Sequence, residues 1–234
     1  IGWAVVCRRN VFSAFVFPSP KKVFKAFVTM TRSGELVQNL TASLIRVITG
    51  FFISCILAFV FAVAVSFIPS LRQWLKGIFE YSRNVPPISL IPLLILWFGI
   101  GELSKLIVIV LASFFPIYMN FVSGIAECDV KLIETGRSLH MKHSEIFFRI
   151  QLPSAVPQIL TGMQIGLGYS WRAIVGAEMI AATKGLGYMI LDSQSLSRTD
   201  KVIAGIICIG ISGIIMDTIF KIAINSLNRK KQYD

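Results

Sequence analysis

Long apolar runs alternate with short polar segments along this chain, and each run is continuous rather than alternating residue by residue. A helix needs about 20 apolar residues to cross roughly 30 Å of hydrocarbon, whereas the strands of a membrane barrel alternate in polarity. Five runs predict membrane-spanning helices: residues 47–68, 85–101, 106–126, 150–182 and 202–224. Because the second run is short and rich in proline, we expect its helix to begin in the amphipathic segment 71–83.

The segments near the N-terminus are shorter. Residues 17–41 are expected to form an amphipathic connector, and residues 1–6 resemble the last turns of a truncated first helix. No internal repeat or low-complexity tract divides the sequence. We therefore predict an all-α, polytopic membrane protein with five full spans plus a truncated N-terminal span, folded as a single domain over residues 1–234.

Composition supports a membrane location and excludes some classes of function. The chain of 234 residues is 55% hydrophobic and only 15% charged, too little charge for the surface of a soluble domain of this size. Its net charge of +11 is spread over short segments between the runs, which indicates contact with anionic lipid head groups rather than nucleic acid. Counting lysines and arginines on the two sides of the predicted spans gives equal numbers, so charge does not determine the orientation.

The 127–153 segment is the only long, charge-rich stretch between apolar runs. Helical spacing of its apolar residues predicts one short helix that Asp129 can cap. Ser144 is the candidate N-cap of a second helix, with Glu145 in its first turn and its end before Pro153. Two short helices joined by a turn would form a compact knob that projects from the membrane. The alternative is a connector that lies on the lipid surface.

The same segment resembles the E-A-A-x3-G-x9-I-x-L-P signature of permease subunits of bacterial ATP-binding cassette (ABC) importers. It contains, with every spacing kept, Glu134-Thr135-Gly136, three residues, His140, nine residues and Ile150-Gln151-Leu152-Pro153. Thr135 and Gly136 replace two alanines of the signature, and His140 replaces its glycine. If that glycine position adopts a left-handed turn, His140 destabilises the turn by about 1 kcal/mol, although histidine tolerates such geometry better than most residues.

Further short motifs extend the resemblance over nearly the whole chain and point to the nitrate/sulfonate/taurine branch of that family. They are Pro18-Ser19-Pro20, Ser33-Gly34-Glu35-Leu36, Asn84-Val85-Pro86-Pro87, Ile91-Pro92-Leu93, Trp97-Phe98-Gly99-Ile100-Gly101-Glu102, Phe115-Pro116, Ala177-Glu178 and Gly185-Leu186-Gly187-Tyr188.

The resemblance implies the type I ABC importer transmembrane-domain fold and a division of work among subunits. The 127–153 segment would face the cytoplasm and seat in a groove of a separate ATPase subunit. ATP and Mg would bind that partner, since this sequence contains no G-x4-G-K-[ST] phosphate loop, and the chain itself would be neither an enzyme nor the holder of a cofactor. The expected residues of the docking loop are Glu134, Gly136, Arg137, Ser138, Leu139, His140 and Pro153.

The resemblance also implies a location and partners. The chain would be a multi-pass protein of the bacterial cytoplasmic (inner) membrane, most simply a homodimer with the transport pathway between its two copies. An extracytoplasmic binding protein would deliver a small solute. Related permeases carry nitrate, sulfonates, taurine or vitamin precursors, and the sequence does not separate these.

Charged residues inside an apolar run are functional candidates, because burying a charge in lipid is costly. Arg172 and Glu178 lie in the 150–182 run about 120° apart around the helix, so they are not expected to pair. Arg172 assists passage of an anion, or it snorkels to the interface. Glu178 lines the pathway, or it binds a neighbouring helix. Ser170 and Trp171 are further pathway candidates.

Two patterns predict helix contacts. Gly162, Gly166 and Ser170 recur every four residues and would let a neighbouring helix approach closely. Asp217 and Lys221 lie four residues apart in the last run and would pair on one face.

Two other functions are compatible with an all-α membrane protein. An intramembrane enzyme would need a nucleophile with a base, or metal ligands at membrane depth, and neither histidine lies in a predicted span. A stand-alone channel or ion-coupled carrier would use Glu178 as its coupling site.

Overall fold

The computed structural model describes Trp3, Ser13 and residues 16–230, except for the side chains of residues 225 and 227–230. Apart from Trp3, the predicted helical remnant at residues 1–6 lies outside the described residues.

All regular elements of the described residues are helical. The α-helices are α1 (Pro20–Arg32), α2 (Glu35–Phe67), α3 (Pro69–Asn84), α4 (Ile91–Phe98), α5 (Glu102–Ala126), α6 (Val130–Ser138), α7 (His143–Ile146), α8 (Leu152–Ala181), α9 (Leu186–Ser195) and α10 (Thr199–Lys230). A 3-10 turn at Pro87–Leu90 precedes α4, and a π turn at Phe147–Gln151 joins α7 to α8.

Three helices of the described residues are long and apolar enough to cross a membrane: α2, α5 and the Thr199–Ile224 part of α10. A fourth span is present if the helix His143–Ala181 and α9, which meet at a bend of 44°, count as one. The prediction of five full spans is therefore not confirmed.

One of the five predicted spans, the proline-rich run at residues 85–101, does not form a membrane-spanning helix. Val85 and Pro86 are extended, the conformation that a following proline favours. This ends α3 at Asn84, so the expected continuous helix from segment 71–83 was wrong. The run instead forms the shorter apolar helix Pro87–Phe98, which falls below the length needed to cross hydrocarbon.

The first span begins at Glu35 and not at residue 47, so the predicted connector 17–41 is divided between two helices. Gly34 separates α1 from α2 with φ of +78°, a conformation that glycine adopts without a steric penalty. The first three turns of α2 are therefore polar but helical, and Ser43 and Arg46 are buried there.

The centre of the molecule is the antiparallel pair α5 and α8. A Cβ atom added at Gly162 would lie 2.5 Å from Cβ of Asn120, and one added at Gly166 would lie 2.6 Å from Cγ1 of Ile117. The small-residue face of α8 is thus packed against α5, as predicted.

Helix α2 runs parallel to α5, since Arg46 contacts Glu102 near the start of both helices and Ser54 contacts Ser113 further along. Helix α10 is antiparallel to α8. We call the end of the bundle that carries the 127–153 segment the loop end, and the end that carries α9 the opposite end.

Candidate functional site

The first helix of the 127–153 segment forms as predicted. The Asp129 carboxylate accepts a hydrogen bond from the backbone N–H of Lys131 at 2.9 Å, and α6 starts at the next residue after Asp129. This bond satisfies one of the N–H groups that a helix leaves unpaired at its start.

Helix α6 ends at a left-handed residue. His140 has φ of +55°, its N–H donates to the carbonyl of Arg137 at 2.9 Å, and the N–H of Met141 donates to the carbonyl of Gly136 at 3.1 Å. This pair of bonds is a Schellman motif, which usually has glycine at the left-handed position. The condition stated for His140 in the sequence analysis, a left-handed turn at this position, is therefore met.

The second helix differs from its prediction at both ends. It begins at His143, and the N–H of Lys142 donates to the Glu145 carboxylate at 2.8 Å, so Ser144 lies inside the helix and is not its N-cap. The helix also does not end before Pro153. It continues through the π turn into α8, and Pro153, which has no N–H to donate, lies directly after this turn in the first turn of α8.

One set of contacts holds the knob, comprising α6, α7 and the π turn, together, and a second set attaches it to α2. Gly136 is buried, and a Cβ there would lie 2.9 Å from Cδ1 of Ile150 and 3.2 Å from Cγ1 of Ile146. The ring of Phe67, at the end of α2, lies 4.9 Å from the ring of Phe147 and 5.5 Å from that of His143. The knob therefore packs against α2 and is covalently continuous with α8.

Most of the predicted docking residues form one exposed surface at the tip of the knob, which we call the tip surface. Its members are Glu134, Arg137, Ser138, Leu139 and His140. Leu139 is 70% exposed, and neither Glu134 nor Arg137 forms an ion pair with any described residue. Gly136 lies on the inner side of α6, and Pro153 lies in the first turn of α8.

At the opposite end, Glu178 is the centre of a buried polar network. Its side chain is fully buried, and its carboxylate accepts hydrogen bonds from Arg46 Nη1 at 2.8 Å, from Ser43 Oγ at 2.8 Å and from the N–H of Gly187 at 3.1 Å. This geometry matches the predicted alternative in which Glu178 binds a neighbouring helix. As predicted, it does not pair with Arg172.

Arg46 extends this network to two further elements. Its Nε donates to Glu102 at 2.6 Å, and its Nη1 donates to the carbonyl of Lys184 at 2.7 Å. Lys105 also donates to Glu102, at 2.7 Å. Sequence reasoning missed Arg46 and Ser43 as partners of Glu178, and Glu102 as a partner of Arg46; the available signal was Arg46 at the edge of an apolar run.

The break between α8 and α9 is held to α2 by backbone donors. The N–H of Gly185 donates to Asn39 Oδ1 at 2.8 Å, and the N–H of Leu186 donates to Ser43 Oγ at 3.0 Å. Gly185 has φ of +130°, and a Cβ there would overlap the Glu178 carboxyl group. The G-L-G-Y motif thus has a structural role at this break.

The remaining pathway candidates divide into exposed and buried residues. Arg172 is exposed, with its guanidinium carbon 5.6 Å from the centre of the Tyr169 ring. Trp171 is buried and its Nε1 donates to the carbonyl of Ile209 at 3.2 Å. Ser170 is also buried, and its hydroxyl has no hydrogen-bond partner among the described residues. Trp171 and Ser170 thus pack inside the chain, and their part in a pathway stays a prediction.

The predicted ion pair in the last span is present. Lys221 Nζ lies 2.8 Å from Asp217 Oδ2, and Gln164 Nε2 donates to Asp217 Oδ1 at 2.9 Å. The Asp217 charge is therefore balanced by Lys221 on α10, and Gln164 on α8 adds a hydrogen bond to the same carboxylate.

Comparison with known proteins agrees with this architecture. A family model described as "Binding-protein-dependent transport system inner membrane component" matches residues 50–230. The chain is 36% identical over 220 residues to the putative aliphatic sulfonates transport permease protein SsuC of Bacillus subtilis (strain 168), covering 94% of this chain and 80% of that protein. It is 35% identical to the taurine transport system permease protein TauC of Escherichia coli (strain K12), covering 92% and 80%.

A third relative and one solved structure extend the comparison. The nitrate import permease protein NrtB of Synechocystis sp. (strain ATCC 27184 / PCC 6803 / Kazusa) is 32% identical, covering 75% of this chain and 64% of that protein. A crystal structure of an amino acid ABC transporter with histidines superposes with a TM-score of 0.71 at 18% identity, covering 87% of this chain and 98% of that one. The likeness to the solved structure shows a shared fold.

Proposed function

Because the chain belongs to the family of binding-protein-dependent transport system inner membrane components, as a permease subunit of an ABC importer, we propose that its 127–153 segment docks a separate ATPase subunit. In this role the tip surface seats in a groove of the ATPase on the cytoplasmic side. ATP and Mg bind the ATPase, and this chain converts movement of the docked subunit into movement of its spans.

The tip surface is the observation that carries this proposal. It presents a carboxylate, a guanidinium, a hydroxyl, an imidazole and a leucine together in solvent, and neither Glu134 nor Arg137 has an ion partner among the described residues. Such mixed surfaces are typical of protein interfaces, in which apolar contacts lie among polar ones. A connector that lay on lipid would direct an apolar face to the membrane, whereas four of the five members of the tip surface are polar or charged.

The mechanical connection follows from how the knob is attached. The helix from His143 to Ala181 is continuous, so a rotation of the knob is passed directly to α8. The contacts of Phe67 with Phe147 and His143 pass the same movement to α2. A rigid element transmits rigid-body rotation, whereas a flexible loop would absorb it.

The assembly is proposed as two copies of this chain, two ATPase subunits and an extracytoplasmic binding protein. The exposed Arg172 supports a second copy, because an arginine in the middle of α8 is costly against lipid and is accommodated by protein or by a water-filled path. A stand-alone carrier coupled through Glu178 is less well supported, since Arg46, Ser43 and Gly187 already bind that carboxylate.

The proposed solute is a small molecule that bears an oxyanion. The relatives named for aliphatic sulfonates and nitrate, and the one named for taurine, share this chemistry in the solutes of their names. A vitamin precursor is the alternative solute.

The docking proposal is tested by placing a photo-crosslinking amino acid at Ser138 in cells that express the complete transporter. The matched control position is Ser195, which is exposed at the opposite end. The expected product is an adduct between position 138 and a nucleotide-binding ATPase subunit, identified by mass spectrometry, with no such adduct at position 195. Adducts with phospholipid alone at position 138 would overturn the proposal.

A further inference from the structure

Two cavities open on the uncovered side of α8, and Tyr169 lines both of them. The larger cavity, about 510 Å³, lies between α8 and α10. The smaller, about 310 Å³, lies between α8, α5 and the end of α3. Tyr169 itself is 48% exposed, so its ring separates two spaces that are both accessible from the same face.

Each cavity contains one arginine. Arg172 lines the larger cavity and Arg83 lines the smaller, both are exposed, and neither forms an ion pair with a described residue. The one carboxylate among the lining residues is Asp217, whose charge is balanced by Lys221 at 2.8 Å and which also accepts from Gln164. Together the described walls of the two cavities carry two arginines and one aspartate, and because that aspartate is paired with Lys221, neither arginine has an ion partner.

The direction of the Arg172 side chain distinguishes this arrangement from snorkelling. Arg172 lies more than two turns before Ala181, where α8 ends, which is about 13 Å along the axis at about 1.5 Å per residue. A snorkelling arginine would extend toward that nearer end. Its guanidinium instead lies over Tyr169, one turn toward the loop end, and so stays in the middle of the helix.

We propose that Arg172, Tyr169 and the cavity between α8 and α10 form a binding site for a small organic anion during transport. The head of the ligand, a sulfonate or carboxylate, binds the guanidinium, which matches two oxyanion oxygens in one plane. The short apolar body lies against Ile165, Ile209 and Ile214. Arg83, across the Tyr169 ring, offers the next cation along the same face.

Gly210 allows the site to be tested by filling the cavity as well as by changing its charge. It lines the larger cavity, and a Cβ atom there would meet no other heavy atom within 4 Å. The side chain of a leucine at position 210 therefore begins in open space and would occupy volume that the ligand needs. This variant leaves the arginine unchanged.

The inference rests on the proposed function, and its test uses the assembled transporter in nanodiscs of zwitterionic lipid. The probe is radiolabelled 1-butanesulfonate, and 1-butylammonium is the competitor of equal size and opposite charge. The variants are Arg172→Gln, Arg172→Lys and Gly210→Leu, with Arg32→Gln as the control because Arg32 is exposed and lines neither cavity.

We expect saturable binding of butanesulfonate to the transporter, and we expect that butylammonium does not compete with it. Arg172→Gln should weaken it roughly tenfold to a hundredfold, since hydrogen bonds to charged groups contribute at that level. Arg172→Lys should weaken butanesulfonate binding less. Gly210→Leu should reduce the binding because the leucine side chain occupies the cavity, and Arg32→Gln should leave the binding unchanged. If Arg172→Gln does not assemble, Gly210→Leu and Arg172→Lys provide the test.

Equal binding by Arg172→Gln and Arg32→Gln, competition by butylammonium, or no saturable binding by the unaltered transporter would overturn the inference. A further result would also overturn it: retention of labelled phosphatidylglycerol depends on Arg172, but binding of butanesulfonate does not. In that case the arginine binds lipid. The Ser138 adduct does not depend on the anion, so a retained adduct without anion binding contradicts this site alone. Anion binding without the adduct contradicts only the docking proposal.

Discussion

The guanidinium of Arg46 lies 2.8 Å from the carboxylate of Glu178, although the two residues are 132 positions apart in the chain. This contact joins the start of α2 to the end of α8 at the end of the bundle opposite the knob. Because Ser43 and the N–H of Gly187 bind the same carboxylate, the break between α8 and α9 is held in one position. The network thus holds the opposite end together while the loop end is available for docking.

Removing Arg46 should destabilise the protein more than neutralising Glu178. Arg46→Met leaves a fully buried carboxylate without its cation, a change that costs about 3–5 kcal/mol in the free energy of unfolding. Glu178→Gln should cost less, since Arg46 keeps its bonds to Glu102. The measurement is denaturant unfolding of the purified protein in detergent.

The matched control for this pair is Lys221→Gln, which breaks an exposed pair four residues apart and should cost within about 0.5 kcal/mol. If Arg46→Met proved no more destabilising than Lys221→Gln, the Arg46–Glu178 pair would not stabilise the opposite end.

Gly185→Ala should be more destabilising than Gly99→Ala. Both glycines have positive φ with ψ near 180°, a region that is essentially restricted to glycine, so the backbone strain is similar at the two positions. A Cβ at position 99 meets open space, whereas one at position 185 overlaps the Glu178 carboxyl group. We expect an additional loss of about 1–3 kcal/mol at position 185, measured by the same unfolding assay. Equal losses would show that the carboxyl group moves aside freely.

His140→Gly should stabilise the knob by about 1 kcal/mol, because glycine adopts the left-handed conformation without the steric penalty of a side chain. The effect should be local, so the measurement is hydrogen exchange of the two backbone amides that close the turn, at positions 140 and 141. Leu139→Gly is the control, since Leu139 has φ of −82° and gains nothing from glycine. Faster exchange in His140→Gly would contradict the role of the left-handed turn.

Gly136→Leu should uncouple ATP hydrolysis from solute. The added side chain would collide with Ile150 and Ile146 and separate α6 from the π turn, which displaces the tip surface. Solute-stimulated ATPase activity of the reconstituted transporter should fall at least about tenfold, as expected when a coupling contact is displaced by about an ångström or more. Gly77→Leu is the control, because a Cβ at Gly77 meets open space on α3. Normal stimulation in Gly136→Leu would contradict the proposed coupling.

Prediction from sequence succeeded where a local rule decides the geometry. The i, i+4 spacing of Asp217 and Lys221 puts both on one helix face, and the glycine spacing of α8 produces the close contact with α5. The Asp129 cap also depends only on neighbouring residues. Prediction was wrong at the ends of the second short helix and at residues 85–101. At the start of that helix, Glu145 caps the backbone in place of Ser144, and at its end the π turn carries the helix past Pro153. At residues 85–101, the extended Val85–Pro86 pair interrupts a run that apolar composition alone predicts to be one helix.

By itself the sequence determined an all-helical membrane protein with a charge-rich segment between two apolar runs, and its signature spacing indicated the family. These properties depend on the length of apolar runs and on backbone geometry over a few residues, which the order of amino acids specifies directly. Only the tertiary structure decided that Glu178 binds Arg46, that Gly136 packs under the tip surface and that Tyr169 separates two cavities. Each of these depends on which helix faces meet in three dimensions, and that is determined by the packing of the whole bundle and not by any local stretch of sequence.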